Sequence, residues 1–134
     1  FFFLTLHDDK PACLRSGESL AHAIPQLSAL GISGILANCC LPERISDAMP
    51  ELVRADVSFV GGYANAFSHV PSDWLLDGSK RTDGGLALRE DLSPSHYCEF
   101  VENWINHGAN IVGGCCGTTA VHTEAISDMI ATRF

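Results

Sequence analysis

Gly113-Gly114-Cys115-Cys116-Gly117 lies near the C-terminal end of the chain, between an apolar run at residues 109–112 and a helical pattern that starts after Thr118. This order predicts a buried strand, a tight turn and a helix. Glycine lets a backbone turn sharply, and the N-terminus of a helix favours a thiolate over a thiol. Two adjacent cysteines at such a turn are therefore well placed to hold a soft metal ion. Two thiolates do not complete a zinc site, so a third ligand is needed.

A second cysteine pair, Cys39-Cys40, follows another apolar run at residues 32–37. Further apolar runs at residues 1–6 and 57–60 also read as buried strands, and an amphipathic helical pattern follows each of the four strands along the chain. This alternation is typical of parallel strands joined by right-handed crossovers. The predicted fold class is α/β, and four such units form either a small open sheet or half of an eight-stranded barrel.

Both architectures place ligand sites at the carboxyl ends of the strands. Cys39 follows the second strand, and Cys115-Cys116 follow the fourth. These three thiols are expected to project from the same edge of the sheet. Zinc with three protein ligands keeps an open position, as catalytic sites do, whereas four protein ligands make a closed structural site. Three thiolates form an electron-rich centre that suits a substrate thiol, whose pKa is about 8.5 when it is free. The chemistry predicted for such a site is alkyl transfer to sulfur.

Length and charge narrow the function classes. A chain of 134 residues is long enough for one domain with a real core. Its net charge of −8 and its lack of a Lys/Arg cluster argue against binding to nucleic acid or to an anionic membrane. The apolar start at residues 1–4 is too short for a signal peptide or a membrane span. Six cysteines that include two adjacent pairs suit a reducing compartment, so a cytoplasmic location is predicted.

These motifs resemble those of the zinc-dependent homocysteine S-methyltransferases, a family with betaine-, S-methylmethionine- and cobalamin-dependent members. The resemblance rests on Gly113-Gly114-Cys115-Cys116-Gly117 with residues 108–112 before it, and on Asn38-Cys39 at the end of an earlier strand. Tyr63-Ala64-Asn65 is similar to the Tyr-Pro-Asn segment of the family, with alanine in place of the proline. The resemblance covers essentially the whole chain.

The resemblance implies a (β/α)8 TIM barrel, with residues 1–134 as the C-terminal half of the homocysteine-binding domain. It implies Zn²⁺ bound by Cys39, Cys115 and Cys116, with the homocysteine sulfur as the fourth ligand and a small-molecule methyl donor approaching in line to give methionine. No catalytic residue separate from the zinc ligands is expected. The chain starts without Met and lacks the early acidic and glycine-rich segment of the family, so we expect a fragment of a longer protein. An isolated half-barrel would expose two strand edges, and its activity alone is an open question.

Three polar residues at strand ends are candidates for substrate binding. Asn38, Tyr63 and Asn65 are predicted to contact the amino-acid end of homocysteine, and the alternative is that they form hydrogen bonds that fix the strand-end turns. The long segment at residues 66–92 has no sustained periodicity, which is typical of a lid or a binding segment. It does not identify the methyl donor.

Two rival functions remain open. In a non-catalytic module with a structural zinc site, Cys40 or His7 would complete four protein ligands. A redox protein would use the adjacent cysteines, but such cysteines form a strained disulfide and the chain has no Cys-x-x-Cys motif. Asp8-Asp9 and His122 are predicted to lie at the solvated surface.

Overall fold

The structure is a computed structural model that describes residues 1–74 and 86–133. Four parallel strands form one sheet in chain order, namely β1 Phe2–Thr5, β2 Gly34–Asn38, β3 Phe59–Ala64 and β4 Ile111–Gly114. The helices are α1 Leu20–Ser28, α2 Pro42–Leu52, α3 Pro94–Asn106 and α4 Ala120–Arg133, and a short 3-10 helix, Val53–Ala55, follows α2. The α/β class and the parallel order are confirmed. Residues 75–85 of the predicted binding segment lie outside the described residues.

The helix ends follow the local chemistry of the sequence. Ser93 precedes α3, and its hydroxyl accepts a hydrogen bond from the His96 N–H, while Pro94 occupies the first helical turn. Gly108 follows α3 with a φ of +108°, a conformation that suits glycine after a helix. Pro42 occupies the first position of α2, where a missing backbone N–H costs no helical hydrogen bond. None of the described helices is both long enough and apolar enough to cross a bilayer.

Strands β3 and β4 begin later than predicted, and their glycine pairs lie inside the strands instead of after them. A Cβ at Gly61 would overlap the carbonyl oxygen of Ile111 in β4, and a Cβ at Gly62 would lie 2.8 Å from the Ile45 side chain in α2. Glycine at these positions therefore marks a close approach of backbone or packing, not a turn. The predicted ranges 57–60 and 109–112 missed this because the constraint comes from a neighbouring element.

The two faces of the sheet have different surroundings. The face toward the helices is buried in one core, whose largest fully buried side chains include Trp104 and Tyr97. The opposite face carries aromatic side chains that we call the aromatic face: Phe1, Phe3, Phe59 and Tyr63.

Strand β1 is not fully buried, which corrects the prediction for residues 1–6. Phe1, Phe3 and Phe59 are 55%, 56% and 42% exposed. The Phe1 and Phe59 rings stack with centroids 5.4 Å apart, and Phe3 meets Tyr63 edge-on at 6.1 Å. A continuous apolar run predicts burial on both sides of a sheet, whereas the described helices cover one side of this strand only.

Candidate metal centre

Three cysteine thiols lie together at the carboxyl edge of the sheet. Cys39 follows β2, and Cys115 and Cys116 follow β4; their Sγ atoms all lie within 4.8 Å of one another. The Sγ atoms of Cys115 and Cys116 are 3.9 Å apart. Tetrahedral zinc with Zn–S bonds of about 2.3 Å separates its sulfur ligands by about 3.8 Å. The spacing and the soft donor atoms of this thiol group therefore fit zinc.

Cys39 has an unusual backbone that the end of β3 holds in place. Its φ is +46°, in the left-handed region that side chains other than glycine rarely adopt. The Cys39 N–H donates to the Tyr63 carbonyl at 3.0 Å, and the Asn65 side-chain amide donates to the Cys39 carbonyl at 3.0 Å. The Asn65 N–H donates to the Cys40 carbonyl, also at 3.0 Å. These bonds turn the Cys39 side chain toward the thiols after β4.

The turn that carries the other two thiols is fixed on both sides. The Cys115 N–H donates to the Ala64 carbonyl at 2.9 Å, and the Ala66 N–H donates to the Cys116 carbonyl at 2.8 Å. The Thr118 hydroxyl donates to the Cys115 carbonyl at 2.7 Å. The end of β3 and the start of α4 thus hold the turn between them.

The two members of the Cys39-Cys40 pair have different surroundings. Cys40 is buried in the hydrophobic core and does not belong to the thiol group. Burial raises the pKa of Cys40 to about 12. Burial, followed by hydrogen bonds with Cys115 and Cys116, raises the pKa of Cys39 to about 12. Both thiols are protonated near pH 7, so a metal ion that binds Cys39 must displace its proton.

Within residues 1–74 and 86–133, no fourth histidine, cysteine or carboxylate joins the thiol group. His7 lies apart from it, and its Nδ1 accepts the Asp9 N–H at 3.0 Å. All six cysteines are free thiols. Three protein ligands with an open position are the pattern of catalytic zinc sites, whereas structural sites have four.

The three predicted substrate residues lie at the same edge of the sheet. The Asn38 side-chain amide donates to the Thr5 hydroxyl at 3.0 Å. Burial is the main cause that raises the pKa of Tyr63, which lies in β3 between the strands that lead to Cys39 and to Cys115. Asn65 is fully buried, and its side chain bonds to the Cys39 carbonyl and to the Phe67 N–H. Contact of these residues with a substrate stays a prediction.

Two residues predicted at the surface are buried. The Asp8 carboxylate accepts the Leu41 N–H at 3.1 Å and the Val70 N–H at 2.7 Å, which ties the loops after β1, β2 and β3 together. His122 is buried, and its Nε2 lies 3.1 Å from the Leu92 carbonyl. Both predictions were wrong because the partners are backbone groups of distant loops, which leave no local pattern in the sequence.

Comparison with known proteins identifies the family. The family model "Homocysteine S-methyltransferase" matches residues 1–130. The chain belongs to the homocysteine S-methyltransferase family. This confirms the resemblance found in the sequence motifs.

The relatives that match this chain are longer proteins. This chain is 29% identical over 129 residues to homocysteine S-methyltransferase 1 of Zea mays. The match covers 94% of this chain and 36% of that protein. The chain is 24% identical over 117 residues to methionine synthase of Mycobacterium tuberculosis, covering 86% of this chain and 9% of that protein. The apo crystal structure of the homocysteine methyltransferase MmuM from Escherichia coli has a TM-score of 0.58 at 19% identity, covering 87% of this chain and 35% of that one. This last likeness supports the fold.

The geometry of the thiol group predicts opposite effects on zinc binding when either of two adjacent cysteines is replaced by alanine. Cys39→Ala should lose most bound zinc, because it removes a thiol from the group. Cys40→Ala should keep zinc and lower the free energy of unfolding by about 1 kcal/mol, because it removes one buried atom from the core. Zinc content after dialysis against a chelator, measured beside urea unfolding curves, tests this. Zinc loss in Cys40→Ala with retention in Cys39→Ala would reverse the assignment.

Proposed function

We propose that the protein containing this chain is a zinc-dependent homocysteine S-methyltransferase that methylates the homocysteine thiol to give methionine. The observation that carries the proposal is the group of three thiols with an open fourth position, in a chain of this family. Relatives named for homocysteine methylation and for methionine synthesis support homocysteine as the methyl acceptor. This chain spans about a third of the length of the maize relative.

Cys39, Cys115 and Cys116 would hold the zinc. A zinc ion bound to three thiolates supplies a Lewis acid that ionises an added thiol, while the donor thiolates keep that sulfur nucleophilic. In the transfer itself, the sulfur lone pair forms the new C–S bond as the bond from the methyl group to its donor breaks. The thiol proton passes to solvent, so no separate general base is assigned to this chain.

Asn38 and Tyr63 are proposed to bind the amino and carboxylate groups of homocysteine. Asn65, whose buried side chain bonds to the Cys39 carbonyl and the Phe67 N–H, is proposed to fix the strand-end turn. Tyr63 supports the proposal by its place in β3, the strand between those that lead to Cys39 and to Cys115. Asn38 and Asn65 flank Cys39 from β2 and from the end of β3. Contacts that hold the amino-acid end of homocysteine beside the thiol group would fix the position of its sulfur. Fixing one reactant in this way accelerates a reaction between two substrates.

We infer that residues 1–134 form the C-terminal half of a (β/α)8 TIM-barrel domain. Four parallel strands in chain order with alternating helices are what half of such a barrel requires. The aromatic face supports the inference, because closing the sheet would turn these exposed rings into a packed barrel interior. A reducing compartment such as the cytosol would keep the thiols available for metal. The partners proposed are homocysteine and a small-molecule methyl donor.

The test is zinc-edge X-ray absorption on the full-length protein, with and without homocysteine. The expected result is three sulfur ligands without homocysteine and four with it. Homoserine, which carries a hydroxyl in place of the thiol, is the matched control and should add no sulfur ligand. Four protein ligands that ignore homocysteine would indicate a structural zinc site, and a folded protein that binds no zinc would overturn the proposal.

A further inference from the structure

Tyr97 of α3 lies against the ends of the two strands that lead to the thiol group. Its side chain is 0% exposed, and its ring meets Trp104 and His122 edge-on, with centroids 6.1 Å and 5.8 Å away. These contacts fix the position of the phenol oxygen. That oxygen accepts the Ala64 N–H at 2.9 Å, and its proton lies between the Gly113 carbonyl at 2.8 Å, the shorter bond, and the Ala64 carbonyl at 3.2 Å.

The hydroxyl lies beside the last paired residues of the β3–β4 ladder. Ala64 faces Gly114 in the register. In a parallel pair, a residue bonds to the partner residues before and after the one it faces. The later bond forms directly, because the Cys115 N–H donates to the Ala64 carbonyl at 2.9 Å. The earlier one pairs the Ala64 N–H with the Gly113 carbonyl, and both of these groups also bond to the Tyr97 hydroxyl.

We propose that Tyr97 is a positioning residue for the thiol group, an inference that rests on the proposed zinc site. Its hydroxyl bridges β3 and β4 and sets their spacing one residue before Gly114 and two before Cys115. The same β3 end holds the backbone of Cys39 through Asn65. The hydroxyl therefore adjusts the distance between the ligands that follow β2 and those that follow β4.

Loss of the hydroxyl changes this spacing in either of two ways. In Tyr97→Phe, the Ala64 N–H and the Gly113 carbonyl lose the hydroxyl that they share, and they either draw closer to each other or move apart. The first outcome draws the turn toward β3, and the second loosens it. Each changes the preferred separation of the sulfur atoms, so zinc affinity should fall even where the fold survives. Groups that orient metal ligands typically contribute 10–100-fold in metal affinity.

The test compares zinc dissociation constants of Tyr97→Phe and Ser46→Ala in the full-length protein, by competition with a chelator. Ser46→Ala is the matched control, because the Ser46 hydroxyl accepts the Trp104 indole N–H at 2.9 Å and belongs to the same helical layer. We expect Tyr97→Phe to bind zinc about 10–100-fold more weakly, and Ser46→Ala to stay within about twofold of wild type. Substituted Co²⁺ should show an altered visible absorption spectrum in Tyr97→Phe only.

Equal zinc affinities for wild type and Tyr97→Phe would overturn the role of Tyr97 and leave the zinc site standing. Absence of zinc binding in folded wild type would instead overturn the zinc site itself. If Tyr97→Phe does not fold, amide hydrogen exchange in the wild type decides. Coupling is reciprocal, so zinc should slow exchange at the Ala64 amide more than at Gly62. Equal slowing at the two amides would contradict the proposal.

Discussion

Cys116→Ala in the full-length protein is expected to abolish zinc retention and homocysteine methylation together. The substitution leaves two of the three thiols in the group. Loss of a group that merely orients a metal ligand costs 10–100-fold in affinity, so loss of the ligand itself should exceed about 100-fold. Because Cys116 is exposed, the fold should tolerate the change. Metal content by mass spectrometry and methionine formation with excess S-methylmethionine or betaine as donor measure the two effects.

Cys98→Ala is the matched control for this experiment. Cys98 is a half-buried free thiol on α3 that lies outside the thiol group. It should keep wild-type zinc content and activity, which would exclude a general effect of removing a cysteine. A Cys116→Ala protein that still held one zinc per chain under the same dialysis would refute the proposed ligand set.

Gly61→Ala is expected to be the most destabilising single-methyl change in the sheet. The added Cβ would overlap the backbone carbonyl of Ile111, and a backbone group cannot rotate away as a side chain can. Strands β3 and β4 would have to separate, which should lower the free energy of unfolding by about 3 kcal/mol or more. Urea unfolding followed by circular dichroism measures the effect.

Gly113→Ala provides the comparison within the same strand pair. Its Cβ would meet only the Tyr63 Cβ, at 3.8 Å, which is an ordinary contact. The free energy of unfolding should therefore change by less than about 1 kcal/mol, and alanine removes some chain entropy from the unfolded state. Similar losses for both variants would mean that β3 and β4 do not approach each other at Gly61 as described.

Helix boundaries and the thiol group could be predicted because their causes are local. Pro42 is typical of the first helical position and marks the start of α2, and Ser93 is typical of the residue before a helix and marks the start of α3. The meeting of Cys39 with the thiols after β4 follows from parallel topology, since the carboxyl ends of such strands share one edge. Topology alone did not separate Cys39 from Cys40, and the choice of Cys39 came from the family resemblance.

The parts that could not be predicted depend on distant partners. The Asp8 carboxylate is buried because it accepts the backbone N–H groups of Leu41 and Val70. Neither of these two loops has a sequence pattern that predicts a carboxylate partner. The hydrogen bonds of the Tyr97 hydroxyl to β3 and β4 could not be predicted either, because a tyrosine in an apolar helical stripe indicates only core packing. Burial of strand β1 was overestimated since an apolar run does not reveal how many sheet faces are covered.

The left-handed backbone at Cys39 favours glycine for stability, whereas the proposed zinc site needs a cysteine at the same position. A side chain in this conformation costs about 1–2 kcal/mol relative to glycine. Selection for stability alone would therefore favour glycine at this position, and the resulting protein would fold without a third thiol. The proposed zinc site accounts for cysteine at a position whose backbone favours glycine. Glycine at position 39 in a natural variant would therefore indicate a protein that keeps the fold and lacks the proposed site.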